Sequence, residues 1–417
     1  MEKFEGIIGY EEIKDELRRI SDIISHSEKY SQLGVSIPKG LILIGDPGVG
    51  KTTMIKSFLA SIEREAYICR KNKPDGEFVK EIVRIFKEAK ANAPSIVFLD
   101  DMDKYANGDE IHRNDEAYVT IQSCIDDVHD DDVFIVATAN NTCNLPESLL
   151  RSGRFDKIIK VDSPKNEDAE KIVKFYLSKK KCAEDVDCKE IARILDGKSC
   201  AELEVVMNEA GIYAGYEGRT CITMDDIIRA CLRMIYEAPE KMEVSEGRSV
   251  EQIACHEAGH AVLHEILDPG SVTLVSIRSN CGEVGGFTAC YTSDEYWYSK
   301  KRMENRVIEI LGGKAATDLV YGVADVGTNS DLHRAFDIVE RFVDDYCAYS
   351  FDRWVQGCEH SSEVLARRDM QLATEMERFY ASAKEILAQN RSVLDRLTQE
   401  LVIKQTLTGA QVRALIA

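Results

Sequence analysis

The chain has 417 residues, 44% hydrophobic and 30% charged, enough for two or three globular domains and unlike a disordered composition. Its 73 acidic against 53 basic side chains leave a formal charge of −20, which argues against a nucleic-acid partner, since that needs a basic face. Thirteen cysteines lie scattered without CxxC pairs and read as reduced thiols, the nearest pair, Cys182 and Cys188, included. The sequence shows no signal peptide and no run of about twenty apolar residues, the length a membrane span needs. The expectation is a cytoplasmic chain, with membrane association only if a segment before Met1 has been removed.

Residues 1–165 alternate apolar runs with amphipathic helical patterns. Leu41–Gly45, Ser95–Asp100 and Val133–Ala139 are short, branched and apolar throughout, as buried parallel strands are. The pattern predicts a doubly wound α/β sheet. The first of these runs leads into Gly45-Asp46-Pro47-Gly48-Val49-Gly50-Lys51-Thr52, which opens a helix predicted over 52–61. Glycines there let backbone N–H groups turn toward phosphates, and the helix N-terminus adds partial positive charge. Lys51 is placed to reach the β and γ phosphates of ATP and Thr52 to hold Mg²⁺, with Thr53 counted in the same loop. Asp100 ends the second run, where it can bind Mg²⁺ directly or through water. Asp101 follows at the place of a water-activating carboxylate, and Asn140 closes the third run, where it can orient that water. Arg151 and Arg154, in LLRSGRFD, read either as surface arginines or as charges offered to a neighbouring subunit's nucleotide.

Residues 166–240 read as a small helical subdomain, with helices predicted over 167–179, 188–195, 201–216 and 224–236. A polar stretch over 237–249 reads as a linker, assigned to 241–250. Residues 251–417 are mostly helical, interrupted by β-like runs at Ser271–Ile277 and Gly285–Tyr291. His256-Glu257-Ala258-Gly259-His260 sets two imidazoles one helical turn apart on one face, able to share Zn²⁺, with Glu257 beside them as general base. The surrounding pattern predicts an amphipathic helix whose Ala-Gly interior permits close packing. Spacing alone does not choose the third ligand: Asp331 is one of many acids, and His264 and His333 compete with it. The run Gly285–Tyr291 reads either as ordinary sheet or as an edge strand that takes up a substrate backbone.

Residues 1–236 resemble an AAA+ ATPase module. FEGIIGYEEIKDEL, SIPKGLILIGDPGVGKT and LPESLLRSGRFD are close to the FtsH type of that family. ILGGKAATDLVYG and TNSDLHRAFDIVERF, together with HEAGH, resemble the FtsH-type zinc peptidase, so the two resemblances span nearly the whole chain. The resemblance implies a homo-hexamer with nucleotide between neighbouring copies, Ile7 and Ile8 flanking the adenine, Arg151 and Arg154 as arginine fingers, and Asp331 as the third zinc ligand. It implies ATP-dependent cleavage of proteins or peptides. Two departures stand out. Asp101 replaces the family's glutamate and is one methylene shorter. The stretch Ile68–Phe78 lacks the family's aromatic-x-Gly pore motif, Phe78 being the substitute it offers. These departures favour a nucleotide-gated peptidase with weak ATPase and no processive unfolding. A remodelling or scaffold protein with an inactive peptidase is the other alternative.

Overall fold

The computed structural model describes residues 4–105, 116–143, 145–151, 153–238, 249–278, 285–291, 299–322, 329–349 and 360–416. The chain forms two compact units, Met1–Met224 and Asp225–Ala417, and the boundary falls inside the stretch read as a helical subdomain. Residues 241–248 of the expected linker lie outside the described residues.

In chain order the first unit contains α1 (Glu11–Ser25), α2 (Ser27–Ser31), β1 (Gly40–Ile44), α3 (Lys51–Ala60), β2 (Glu65–Cys69), α4 (Asp75–Ala91), β3 (Ser95–Leu99), a 3₁₀ turn (Met102–Lys104), α5 (Glu116–Asp127), β4 (Val133–Ala139), β5 (Lys157–Lys160), α6 (Asn166–Leu177), α7 (Cys188–Ile194) and α8 (Cys200–Tyr216). The strands form one parallel sheet in the order β2-β3-β4-β1-β5. Alternate residues of each strand feed opposite cores. Leu41, Leu43, Ile96, Phe98 and Val136 pack with residues of α1 and α3. Ile42, Val97, Leu99 and Ile135 pack with residues of α4 and α5. Both faces are thus covered, which is why these strands are apolar throughout. The edge strands β2 and β5 escaped the sequence reading. Each is half exposed and only four or five residues long, so neither gives a continuous apolar run. Because β1 sits between β4 and β5 while the chain after it crosses to the far edge, the carboxyl ends of β1, β3 and β4 open onto one crevice, the usual ligand position in such sheets.

The second unit contains α9 (Met224–Met234), α10 (Val250–Leu267), β6 (Val272–Ser276), β7 (Phe287–Cys290), α11 (Lys300–Ile310), α12 (Gly312–Tyr321), α13 (Asn329–Asp344), α14 (Ser362–Gln389), α15 (Arg391–Lys404), β8 (Thr406–Thr408) and α16 (Gly409–Ile416). A small antiparallel sheet runs β7-β6-β8, so β7 is an edge strand among the described residues. The three-residue β8 was too short to read. α10 starts at a capping box: the Ser249 side chain accepts from Gln252 N–H, and Gln252 reaches back. The expectation of an amphipathic α10 is overturned. Every residue from Ile253 to Glu265 is buried, because residues of α11, α12, α14, α15 and β6 share its core on all sides.

Candidate active sites

Backbone closeness shapes the first site. Gly259 on α10 and Gly312 on α12 meet where an added Cβ on Gly259 would stand 2.4 Å from the Gly312 carbonyl oxygen. A Cβ on Gly313 would stand 2.3 Å from the His256 ring. Only glycine leaves room for the imidazole at that place. Asp331, in the first turn of α13, completes a group with His256 and His260. His256 Nε2 and His260 Nε2 each lie 3.2 Å from Asp331 Oδ2 and 3.2 Å from each other. Ligands about 2.0–2.1 Å from a tetrahedral Zn²⁺ stand about 3.3 Å apart, so the triangle has the size of a zinc face.

The proton positions argue the same way. His260 Nδ1 is 2.9 Å from the Glu309 carbonyl oxygen, which can only accept, so the ring donates from Nδ1. In a neutral ring Nε2 then aims a lone pair at the Asp331 carboxylate and at His256. Such an arrangement calls for a cation between them. Glu257 is buried, and its Oε2 accepts a 2.8 Å hydrogen bond from Thr288 Oγ1 on β7. Thr288 was missed by sequence reasoning, since a threonine in a strand carries no motif.

Neither competitor joins this group. His333 is exposed on α13. His264 is buried, with Nε2 3.3 Å from Arg306 Nη1 and Nδ1 3.3 Å from Glu309 Oε2. Burial, then Arg306, pushes its pKa well below the usual histidine value, so it stays neutral. Glu309 in turn takes Arg302 Nη1 at 2.7 Å. Cys182 is exposed and Cys188 half-buried, and neither belongs to a metal-ligand group among the described residues.

The second site lies on the first unit's sheet. Lys51 opens α3 and is buried, donating to the carbonyls of Gly45 (2.7 Å) and Asp46 (2.9 Å) and to Asn140 Oδ1 (3.0 Å). Burial lowers its pKa, while Asp101, Asp103 and Asp46 work against that. Asp46, Pro47, Gly48 and Thr53 are exposed, Thr52 and Gly50 half-buried, and Val49 buried. Asp100 is buried, and its Oδ1 accepts from Thr52 Oγ1 at 3.2 Å and Thr138 Oγ1 at 2.8 Å. Asn140 is held by Asp103, which accepts from its backbone N–H at 3.0 Å and its side-chain amide at 2.9 Å. Asp103, Thr138 and Arg70, described below, were not singled out on sequence. The lid helix α8 reaches the loop as well: Ala201 N–H donates to Gly48 O at 3.1 Å. Its capping box, Ser199 with Glu202, was a legible signal.

The remaining expected residues are placed as follows. Asp101 has a left-handed backbone (φ 53°), and its carboxylate pairs with Lys104 at 2.7 Å. Ile7 packs into the core beside Val49 and Met54, while Ile8 is half-buried. Arg154 is buried and donates to Asp126 (2.8 and 3.1 Å) and to Ser148 O (2.7 Å), whereas Arg151 is exposed. Phe78 is fully buried on α4, packed edge-on against Tyr105 with ring centres 4.8 Å apart, so it offers no grip to a substrate.

Comparison with known proteins covers both units. The profile of the ATPase family associated with various cellular activities (AAA) matches residues 41–163, that of the AAA+ lid domain 185–229, and that of peptidase family M41 243–415. Over 99% of its length the chain is 30% identical to an ATP-dependent zinc metalloprotease FtsH of Caldicellulosiruptor bescii, covering 72% of that protein. It is 30% identical to the FtsH of Thermus thermophilus, over 99% of this chain and 70% of that one. It is 28% identical to the FtsH of Bacillus subtilis, with the same coverage. Among the described residues no helix is long and apolar enough to cross a membrane. The chain belongs to the FtsH family of ATP-dependent zinc metalloproteases, enzymes whose cofactors are Zn²⁺ and ATP with Mg²⁺.

Proposed function

We propose that His256, His260 and Asp331 hold the zinc, and that Glu257 is the general base of a protein-cleaving endopeptidase. The converging 3.2 Å triangle carries this reading. Bound there, Zn²⁺ polarises a peptide carbonyl and acidifies water. Glu257 takes the proton of the attacking water and returns it to the leaving amine, its carboxylate aimed by Thr288. The edge strand β7 runs beside Glu257 and suits main-chain pairing with an extended substrate of varied sequence.

Residues 45–53 hold ATP, with Lys51 on the phosphates. Thr52 and Asp100 hold Mg²⁺, which neutralises phosphate charge. Asp101 activates and Asn140 orients the water. Residues 1–165 and 166–240 act as the nucleotide subdomain and its lid, and 251–417 as the peptidase. A homo-hexamer places nucleotide between copies; the exposure of Arg151 supports it as the charge supplied across that interface, with Arg154 holding its loop through Asp126. Glu257→Gln is expected to abolish casein cleavage with zinc content and ATP turnover intact, and Lys51→Ala to abolish ATP binding by calorimetry. Retained proteolysis in the first variant, or full ATP affinity in the second, refutes the corresponding half.

A second reading is favoured by two observations: the Asp101–Lys104 pair and the burial of Phe78. In it the ATPase gates the peptidase and hydrolyses slowly, without threading substrate. A misplacement of about an ångström at the water costs on the order of a hundredfold in rate.

A further inference from the structure

Both carboxylate oxygens of Asp100 are engaged. Two hydroxyls, of Thr52 and Thr138, occupy Oδ1. Arg70 occupies Oδ2, with Nε donating at 2.7 Å and Nη2 in ion-pair contact at 2.6 Å. Three hydrogen-bond donors and the ion pair therefore engage both oxygens. Arg70 is the first residue beyond β2, and the segment it begins is tied down again at once: Lys71 donates to Tyr105 O at 2.9 Å and pairs with Asp75 at 2.9 Å. A guanidinium stays charged at every working pH, so Asp100 carries a permanent counter-charge.

We propose that Arg70 and Mg²⁺ are alternative partners of Asp100, and that the exchange reports metal occupancy to the segment between β2 and α4. This rests on the nucleotide reading given above. Without a divalent ion, Arg70 neutralises Asp100 and lets a polyphosphate approach a crevice that would otherwise present a bare buried carboxylate. When Mg²⁺ binds between Thr52 and Asp100, two cationic groups compete for the one carboxylate. Arg70 then withdraws and releases residues 70–73. Two consequences follow from charge alone. Nucleotide binding depends less steeply on Mg²⁺ than a lone carboxylate would require, and the β2–α4 segment loosens as the metal arrives.

The test measures the affinity of a fluorescent N-methylanthraniloyl ADP for the full chain, in saturating Mg²⁺ and in resin-treated magnesium-free buffer. Arg70→Ala is expected to weaken magnesium-free binding about tenfold or more, as removal of a partly buried charge pair does, while binding in Mg²⁺ stays level or tightens. Arg70→Lys keeps the charge and is expected to keep the ratio of the two affinities near that of the unaltered chain. Equal weakening in both buffers, or an unchanged ratio in the alanine variant, overturns the proposal, as does a lysine variant that behaves like alanine. Should the alanine variant not fold, the unaltered chain still decides: amide exchange across residues 70–73 is expected to rise when Mg²⁺ is added at constant ADP, and no rise overturns it. Failure of the unaltered chain to bind the nucleotide in saturating Mg²⁺ refutes the nucleotide site itself, a different outcome from any of these.

Discussion

Glu257 is buried next to His256, and the one hydroxyl proton of Thr288 goes to its carboxylate at 2.8 Å rather than to its carbonyl at 3.3 Å. In the mechanism proposed above, that bond fixes which oxygen faces the attacking water. Thr288→Val keeps the shape and removes the donor. It is expected to lower kcat roughly 10–100-fold, the usual cost of losing such a supporting contact, with zinc content and KM little changed. Thr288→Ser, which restores the hydroxyl, is expected to recover most of the rate. A valine variant of full activity sinks the role. His256, Glu257 and His260 were legible because four residues make one helical turn. Asp331 lies 71 residues beyond His260 and Thr288 31 beyond Glu257, separations at which no local period speaks.

The α10–α12 pair sets the geometry of the His256–His260 pair at the level of elements. Gly259, Gly312 and Gly313 let the two helices approach until backbone meets backbone and the His256 ring lies over Gly313. Gly313→Ala puts a methyl where the imidazole stands. Overpacking of this kind costs about 1–3 kcal/mol, less than a typical domain's stability, so the expected result is a folded chain with displaced His256. Metal analysis is expected to find well under one zinc per chain, against one in the unaltered protein; full zinc occupancy contradicts the packing argument. The Ala-Gly interior of HEAGH announced a close approach, but not the partner. The burial of α10 on every side was illegible for a related reason: its charged residues look solvent-facing until Glu265, at 7% exposure, is seen accepting from the backbone N–H groups of Gly270 and Val272.

For the molecule as a whole, the two readings proposed above differ in whether ATP drives pulling of the substrate or gating. Two units, each with its own core, carry the two chemistries. A folded substrate domain of about 5–15 kcal/mol opens spontaneously only rarely. A peptidase that does not pull depends on that opening, so cleavage follows the open population. Destabilising a tagged substrate by about 1.4 kcal/mol is then expected to speed cleavage tenfold, whereas casein is cut at a constant rate. A threading machine cuts the stable and destabilised versions at nearly equal rates. The buried Phe78 and the Lys104-bound Asp101 make the tenfold dependence the expected outcome.

What the sequence determined by itself is local. A glycine loop between a strand and a helix, two histidines one turn apart, and strands apolar on both faces each express a requirement that a few neighbouring residues satisfy together. What the tertiary structure decided is long-range. It brought Asp331 to the two histidines, set Arg70 on Asp100, separated exposed Arg151 from buried Arg154, and turned Phe78 inward. Each of these depends on chain closure between distant segments, where the identity of a residue matters less than what the fold places opposite it.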